Sequence, residues 1–187
     1  MDTLVRDPFF THMAGFFGLT FEELLKRKHP TAWGKFELGR LEEAELYERF
    51  FADGTPIDGP AFKQHVRDAY AWIDGIEPLL AELKLQGVPM HALSNYPHWY
   101  SLIEERLGLS RYVGLTFFSC DTGTRKPAPE AYLGACEKLG RRPDECVFVD
   151  DREPNCAAAR AVGMHAVQFK ADVPSLRRAL RELGLLR

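Results

Sequence analysis

The spacing of apolar residues changes near Gly87, and this change divides the chain into two parts. In residues 9–85 apolar side chains recur every three or four positions, as at Phe21, Leu24 and Leu25. This spacing predicts amphipathic helices. Turn signals rich in proline and glycine interrupt the pattern and divide it into roughly four helices.

After Gly87, short apolar runs alternate with helical stretches. The predicted strands cover residues 90–93, 115–119, 146–149 and 165–169. The predicted helices cover residues 98–107, 129–139, 155–162 and 173–183. Alternating strands and helices predict an α/β fold, in which a parallel sheet is covered by helices on both faces. A ligand is then expected at the carboxyl ends of the strands.

Composition is that of an ordinary globular protein with room for one α/β domain and a small insert. The 187 residues are 45% hydrophobic and 27% charged, with a net charge of -3, which argues against disorder and against nucleic acid as a partner. The four cysteines form no C-x-x-C pair, so they predict buried thiols in a reducing compartment and no zinc site. Without a long apolar run or a signal peptide pattern, the sequence predicts a soluble, cytoplasmic protein and no membrane partner.

Polar residues follow three of the predicted strands. They are Ser94 with Asn95, Lys126 in a Lys-Pro loop, and Asp150 with Asp151. Because the carboxyl ends of parallel strands meet at one sheet edge, these side chains are expected to converge.

The adjacent carboxylates Asp150 and Asp151 predict a cation site. Like charges at close range resist burial unless a positive group meets them, and magnesium is commonly bound by one or two carboxylates. Asn155, four residues after Asp151, supports the metal shell in this interpretation. Alternatively, one aspartate or Asn155 caps the next helix.

Lys126 and Ser94 are candidates for holding a phosphoryl group. Lys126 lies between arginine and proline just before a predicted helix, where its charge would neutralise phosphate or a carboxylate nucleophile. A lysine in a loop is more often simply solvated, and Ser94 would serve equally well as a helix N-cap.

The order Ser94-Asn95, Lys126-Pro127 and Asp150-Asp151-x-x-x-Asn155 resembles motifs two, three and four of the haloacid dehalogenase superfamily. The resemblance implies a Rossmann-like three-layer core (residues 86–187) and a helical cap (residues 9–85). Residues 1–8 are then the end of motif one and the lead-in to the core. Motif one is Asp-x-Asp-x-Thr at the end of the central strand. If Thr3 takes the threonine position, the nucleophilic aspartate lies two residues before Met1, and the first, central strand is missing from the chain.

Three further segments, at residues 3–9, 28–33 and 94–100, resemble the flavin mononucleotide hydrolases of plant chloroplasts and their bacterial and algal relatives. The resemblance implies a phosphatase that uses Mg²⁺ to hydrolyse a flavin or another small phosphorylated metabolite. Thr3, Ser94 and Lys126 would be catalytic residues, and Asp150, Asp151 and Asn155 would form the metal site. Asn95, Trp33, Tyr96 and Trp99 would contact the substrate, although the three aromatic residues are equally suited to packing the cap against the core.

Three hypotheses follow for the chain as given. It is a phosphatase whose central strand precedes Met1, a non-catalytic ligand-binding relative, or an interaction protein stabilised by a partner strand. A dehalogenase is disfavoured because those relatives work without the metal that Asp150 and Asp151 predict. The sequence fixes neither the substrate nor the oligomeric state, and an organelle is possible if a transit segment precedes the chain.

Overall fold

Short apolar strands pair in parallel in the second half of the chain. The computed structural model describes residues 1–187. Its strands are β1 (Ala92–Ser94), β2 (Thr116–Phe118), β3 (Val147–Asp150) and β4 (His165–Gln168). β1 pairs with β2, with Leu93 opposite Phe117, and β3 pairs with β4, with Val149 opposite Val167. These pairs form two separate two-stranded sheets, and the predicted α/β fold of parallel strands and helices is confirmed.

β1 and β3 are not paired, and a gap separates the two sheets. Strands covered by helices on both faces are normally buried, but Leu93 in β1 and Val147 and Val149 in β3 are only half-buried. No strand pairing joins β1 to β3. Both strands thus retain an edge of backbone groups that a further strand would satisfy.

The part of the chain before β1 is helical, as predicted, but it is more finely divided. Its seven helices are α1 (Pro8–Thr11), α2 (Met13–Phe16), α3 (Phe21–Arg27), α4 (Ala32–Glu37), α5 (Glu43–Glu48), α6 (Gly59–Ala69) and α7 (Ile76–Leu85). His12 separates α1 from α2 because its φ and ψ of -127° and -32° are not helical. Apolar periodicity does not reveal such local breaks, so the roughly four helices expected were too few.

Five helices alternate with or follow the strands. They are α8 (Tyr100–Leu107), α9 (Ser119–Thr122), α10 (Pro129–Leu139), α11 (Glu153–Ala161) and α12 (Val173–Glu182). Four of them form as predicted, whereas the short α9 was not predicted. α10 has the predicted bounds, because Pro129 suits a first helical turn and Gly140 ends the helix at a φ of 62°. No helix combines the length and the apolar character needed to cross a membrane.

Two apolar clusters define how the layers pack. The larger one, of 17 buried residues, joins the cap helices to α8 through residues such as Phe62 and Trp99. The second, of nine residues, packs α7 against α12 through Leu80 and Leu180. α7 therefore packs against the last helix of the α/β part, and the cap boundary at residue 85 stays a prediction.

Two chain segments connect the cap to the core, and they are hydrogen-bonded to each other. Val5 and Trp72 form an antiparallel bridge. Arg6 N donates to Ala71 O at 2.9 Å, and Ile73 N donates to Leu4 O at 3.0 Å. The two connections therefore run side by side as a short ribbon.

Candidate active site

The end of β1 supplies a free hydroxyl and an amide that fixes the following loop. Ser94 closes the strand half-buried, and its hydroxyl makes no hydrogen bond within the protein. Asn95 accepts from Lys126 N and donates to Lys126 O, each at 2.8 Å. Both polar atoms of the Asn95 side chain are therefore occupied in positioning Lys126, and its contact with a substrate stays a prediction.

Lys126 lies between the two sheets. Its Nζ donates to Leu93 O in β1 at 2.8 Å and to Asp150 Oδ2 in β3 at 2.6 Å. The two charged side chains are only 8% and 4% exposed. A buried ion pair persists only when both charges are hydrogen-bonded, and here the remaining oxygen of Asp150 accepts from Asn155 and from Arg152 N.

Asp151 is the more accessible member of the carboxylate pair. Its Oδ1 accepts from the Thr3 hydroxyl at 3.1 Å, while the Thr3 oxygen accepts from Asp151 N at 3.2 Å. Its Oδ2 has no partner within the protein. The structure thus joins Thr3, from the start of the chain, to the residues that follow β3, as the motif order predicts.

The side-chain oxygens of Asp150, Asp151 and Asn155 suit a hard cation such as Mg²⁺, which prefers oxygen ligands. Asp151 offers a carboxylate oxygen free of other contacts, whereas both oxygens of Asp150 are engaged by Lys126, Asn155 and Arg152 N. Asp151 is accordingly the residue best placed to contact the metal directly. Asp150 and Asn155 are arranged to support the site through their hydrogen bonds.

The first residues of the chain face the same region. Burial, followed by the charge of Lys126, lowers the pKa of the Met1 ammonium. Asp2 has a positive φ of 51°, a conformation that aspartate tolerates better than most residues. The Asp2 carboxylate accepts from Asp7 N at 2.9 Å. This turn holds the start of the chain beside Lys126 and Asp151.

The aromatic residues predicted to face a substrate have different environments. Trp99 is 1% exposed and donates to Glu43, and Tyr96 is 3% exposed, with its hydroxyl 2.5 Å from that of Tyr70. Both rings pack the cap against the core, and their contact with a substrate stays a prediction. Trp33 is half-buried and remains a candidate.

An ion pair between cap and core was not predicted from the sequence. Glu37, buried at the end of α4, lies 2.7 Å from Arg125 Nη2, and its other oxygen accepts from Trp33 Nε1 at 2.8 Å. Arg125 directly precedes Lys126, so this pair links a cap helix to the loop that carries Lys126. Its only sequence signal was the position of Arg125 beside Lys126.

We expect Glu37→Gln to make the stability of the protein less dependent on pH. Burial raises the pKa of Glu37 above its ordinary value of 4.5, and Arg125 only partly opposes this effect. Because the folded state then holds a proton that the unfolded state loses, stability falls as pH rises through the window above 4.5. Urea unfolding at several pH values should show the variant gaining stability relative to the wild type as pH increases.

Glu48→Gln is the control for that experiment, because Glu48 is an exposed carboxyl of the same helical region. A stability difference between Glu37→Gln and the wild type that stays constant with pH would contradict the expectation.

The fold and the convergence of these residues define a hydrolase of haloacid dehalogenase type. A family model for haloacid dehalogenase-like hydrolases matches residues 18–163. The chain belongs to this family, and the resemblance seen in its motifs is confirmed.

Within the family, the chain is similar to phosphatases. Flavin mononucleotide hydrolase 1 of Arabidopsis thaliana, a chloroplast protein by name, is 43% identical over 185 residues, which are 99% of this chain and 75% of that protein. Ribulose-1,5-bisphosphate 5-phosphatase of Halopiger xanaduensis is 36% identical over 127 residues, which are 62% of this chain and 52% of that protein. The chain is thus a phosphatase of this family.

A solved structure shares the fold. A haloacid dehalogenase family enzyme from Bacteroides thetaiotaomicron, in complex with magnesium and inorganic phosphate, superimposes with a TM-score of 0.71 at 21% identity. The match covers 88% of each chain.

Proposed function

We propose that the protein is a magnesium-dependent phosphatase of small phosphorylated metabolites, with flavin mononucleotide as the first candidate substrate. The observation that carries the proposal is the convergence of Thr3, Ser94, Lys126 and Asp151 between β1 and β3. The hydrogen bonds of Thr3 and Lys126 connect four distant segments of the chain: its start, β1, the Lys-Pro loop and the end of β3.

Each residue has a distinct role in phosphate-ester hydrolysis. The free hydroxyl of Ser94 donates to a phosphoryl oxygen, and the ammonium of Lys126 neutralises the phosphoryl group and the attacking carboxylate. Asn95 holds the backbone of Lys126 at both its N-H and its C=O. Pre-organised charges of this kind stabilise a transition state without a rearrangement at the moment of reaction.

Asp151 is the proposed metal ligand, with Thr3 fixing its orientation. Bound magnesium supplies positive charge that offsets the developing charge on the phosphoryl oxygens. Asp150 keeps Lys126 in place, and Asn155 in turn keeps Asp150 in place.

A carboxylate nucleophile completes this chemistry, and the space between β1 and β3 fits the strand that would carry it. In the motif-one pattern the nucleophile precedes Thr3 by four positions, which is two positions before Met1. Three features support a strand there: the missing pairing between β1 and β3, the half-buried Leu93, and the position of Met1 beside Lys126.

The flavin proposal rests on the Arabidopsis relative, whose name specifies flavin mononucleotide and which aligns with nearly the whole chain. Trp33 is the predicted aromatic contact that stays partly exposed on the cap. A flat isoalloxazine ring is a suitable partner for such a side chain. Hydrolysis of flavin mononucleotide more efficiently than of an aryl phosphate, with the advantage reduced by Trp33→Leu, would support this assignment.

The metal requirement is tested with Asp151→Asn in a form of the chain that carries the motif-one strand. We expect phosphate release to increase with Mg²⁺ in the unsubstituted form, and we expect the variant to need about tenfold to hundredfold more Mg²⁺. The amide nitrogen cannot replace the free carboxylate oxygen as a ligand, although the contact with Thr3 is kept. A Mg²⁺ titration of the initial rate measures the difference.

Asp144→Asn is the matched control, because the same change is made at an exposed carboxylate that pairs only with Arg142. The assignment of Asp151 would be ruled out if the rate of phosphate release did not depend on Mg²⁺. It would also be ruled out if both variants needed the same Mg²⁺ concentration. If the strand-bearing form releases no phosphate but still binds Mg²⁺ and flavin mononucleotide, the non-catalytic binding hypothesis takes its place.

A further inference from the structure

A concave, cationic pocket lies at the boundary between cap and core, apart from the motif residues. Its volume is about 430 Å³, and the residues that line it include Gly34, Lys35, Arg40 and Arg125. Three of these are cationic, and no acidic residue lines the pocket. The chain as a whole carries a net charge of -3, so a cavity with this composition runs against the average charge of the surface.

Most of the donors in this pocket are free. The side chains of Lys35 and Arg40 are exposed and form neither an ion pair nor a hydrogen bond within the protein. Arg125 uses Nη2 for Glu37. Its side chain is still 40% exposed, so the rest of the guanidinium is open to an anion.

Gly34 and the Arg125 guanidinium lie side by side in the wall of the pocket. Arg125 Nη1 lies 3.6 Å from the point where a Cβ on Gly34 would be, which is an ordinary contact distance. Glu37 contacts the same guanidinium through Nη2 and fixes its direction, so the arginine is held in place before any ligand arrives.

We propose that this pocket binds the non-reacting anionic group of the substrate, a second phosphate or a group of similar charge. The inference rests on the proposed function, because it takes the phosphoryl group at Ser94 and Lys126 as the reacting one. Among small phosphorylated metabolites it selects those with a second anionic group, whereas flavin mononucleotide has a single phosphate and would leave this pocket empty. Arginine and lysine together suit a phosphate, which accepts several charge-assisted hydrogen bonds. Lys35 and Arg40 belong to the cap and Arg125 to the core, so an anion held by all three would also join the two parts.

The test uses the 187-residue chain, with a metal chelator present and ionic strength held constant. Inorganic phosphate is titrated while the backbone amides of Gly34 and Ser94 are followed by NMR, since Gly34 reports on the pocket and Ser94 on the reacting position. We expect a saturating shift at Gly34. The variant Lys35→Gln/Arg40→Gln should bind about tenfold more weakly or worse at this position, because two charged donors are lost.

The control variant is Lys26→Gln/Arg49→Gln, which removes two cap cations that already pair with Glu22 and Glu45 along their own helical segments. It should keep the Gly34 response. A Gly34 shift that grows linearly, equals the shift caused by chloride, or weakens equally in both variants would overturn the proposal.

A series of alkane bisphosphates of increasing length, compared with the corresponding monophosphates, identifies the source of the anion. We expect one length to shift Gly34 and Ser94 together and to bind more tightly than its monophosphate. Saturation by free phosphate with no advantage for any bisphosphate would overturn the assignment to the substrate. Because the Gly34 response needs no turnover, a failure of the phosphatase assay leaves it measurable, and the two proposals fail separately.

Discussion

Placing an apolar β-strand that ends in Asp-Val directly before Met1 is expected to raise the rate of phosphate release about 10³-fold or more. In the chain as given, Ser94, Lys126 and Asp151 position and neutralise a phosphoryl group, but none of them is placed to attack it. The added aspartate takes the nucleophile position, beside Lys126. Phosphate release from flavin mononucleotide and from an aryl phosphate, with Mg²⁺, measures the effect.

The same strand ending in Asn-Val separates chemistry from folding. Both extended forms fill the space between β1 and β3 and should unfold at higher urea than the 187-residue chain, because the strand edges become paired. Only the aspartate form should turn over substrate. Equal rates in the Asp-Val and Asn-Val forms would mean that another group is the nucleophile, and rates near zero in both would remove the support for hydrolysis at this site.

Lys126→Met is expected to lower the free energy of unfolding by about 3–5 kcal/mol, because it leaves Asp150 buried and unpaired. Methionine keeps much of the apolar stem but gives up the bonds to Leu93 O and to Asp150. Urea unfolding in the presence of a chelator measures the change. The double variant Lys126→Met/Asp150→Asn should show a smaller decrease in the free energy of unfolding, since no uncompensated charge remains in the interior.

Lys26→Met provides a matched comparison. Lys26 pairs with Glu22 at 2.7 Å, nearly the distance of the Lys126 pair, but the two side chains are 71% and 79% exposed. Exposed pairs of this kind contribute about 0–1 kcal/mol. Similar losses for Lys126→Met and Lys26→Met would show that the buried pair does not hold the two sheets as the structure indicates.

The strands and the motif residues were predictable because their signals are local. Each strand lies within two residues of its predicted bounds, since a short apolar run ends at a polar cluster in every case. Ser94 ends β1, Lys126 lies in the loop after β2 and α9, and Asp151 follows β3. Parallel topology brings the carboxyl ends of these strands to the same side. Thr3 depended on the family pattern, because no periodicity relates it to Asp151 across 148 positions.

The environment of each aromatic and charged side chain was not predictable in the same way. Trp33 and Trp99 are the same residue type in similar polar surroundings along the sequence, yet only Trp99 is fully buried. Burial of such residues depends on which helices meet in three dimensions. The ion pair of Glu37 with Arg125 also depends on the tertiary arrangement, because no local sequence pattern marks partners that lie far apart in the chain.

The ribbon formed by residues 4–6 and 71–73 ties the two connections between the predicted cap and the core to each other. Hydrogen bonds join the two connections on both sides of the Val5–Trp72 bridge. Neither connection can open without breaking bonds of the other, so we expect their amide hydrogens to exchange with solvent as one cooperative unit.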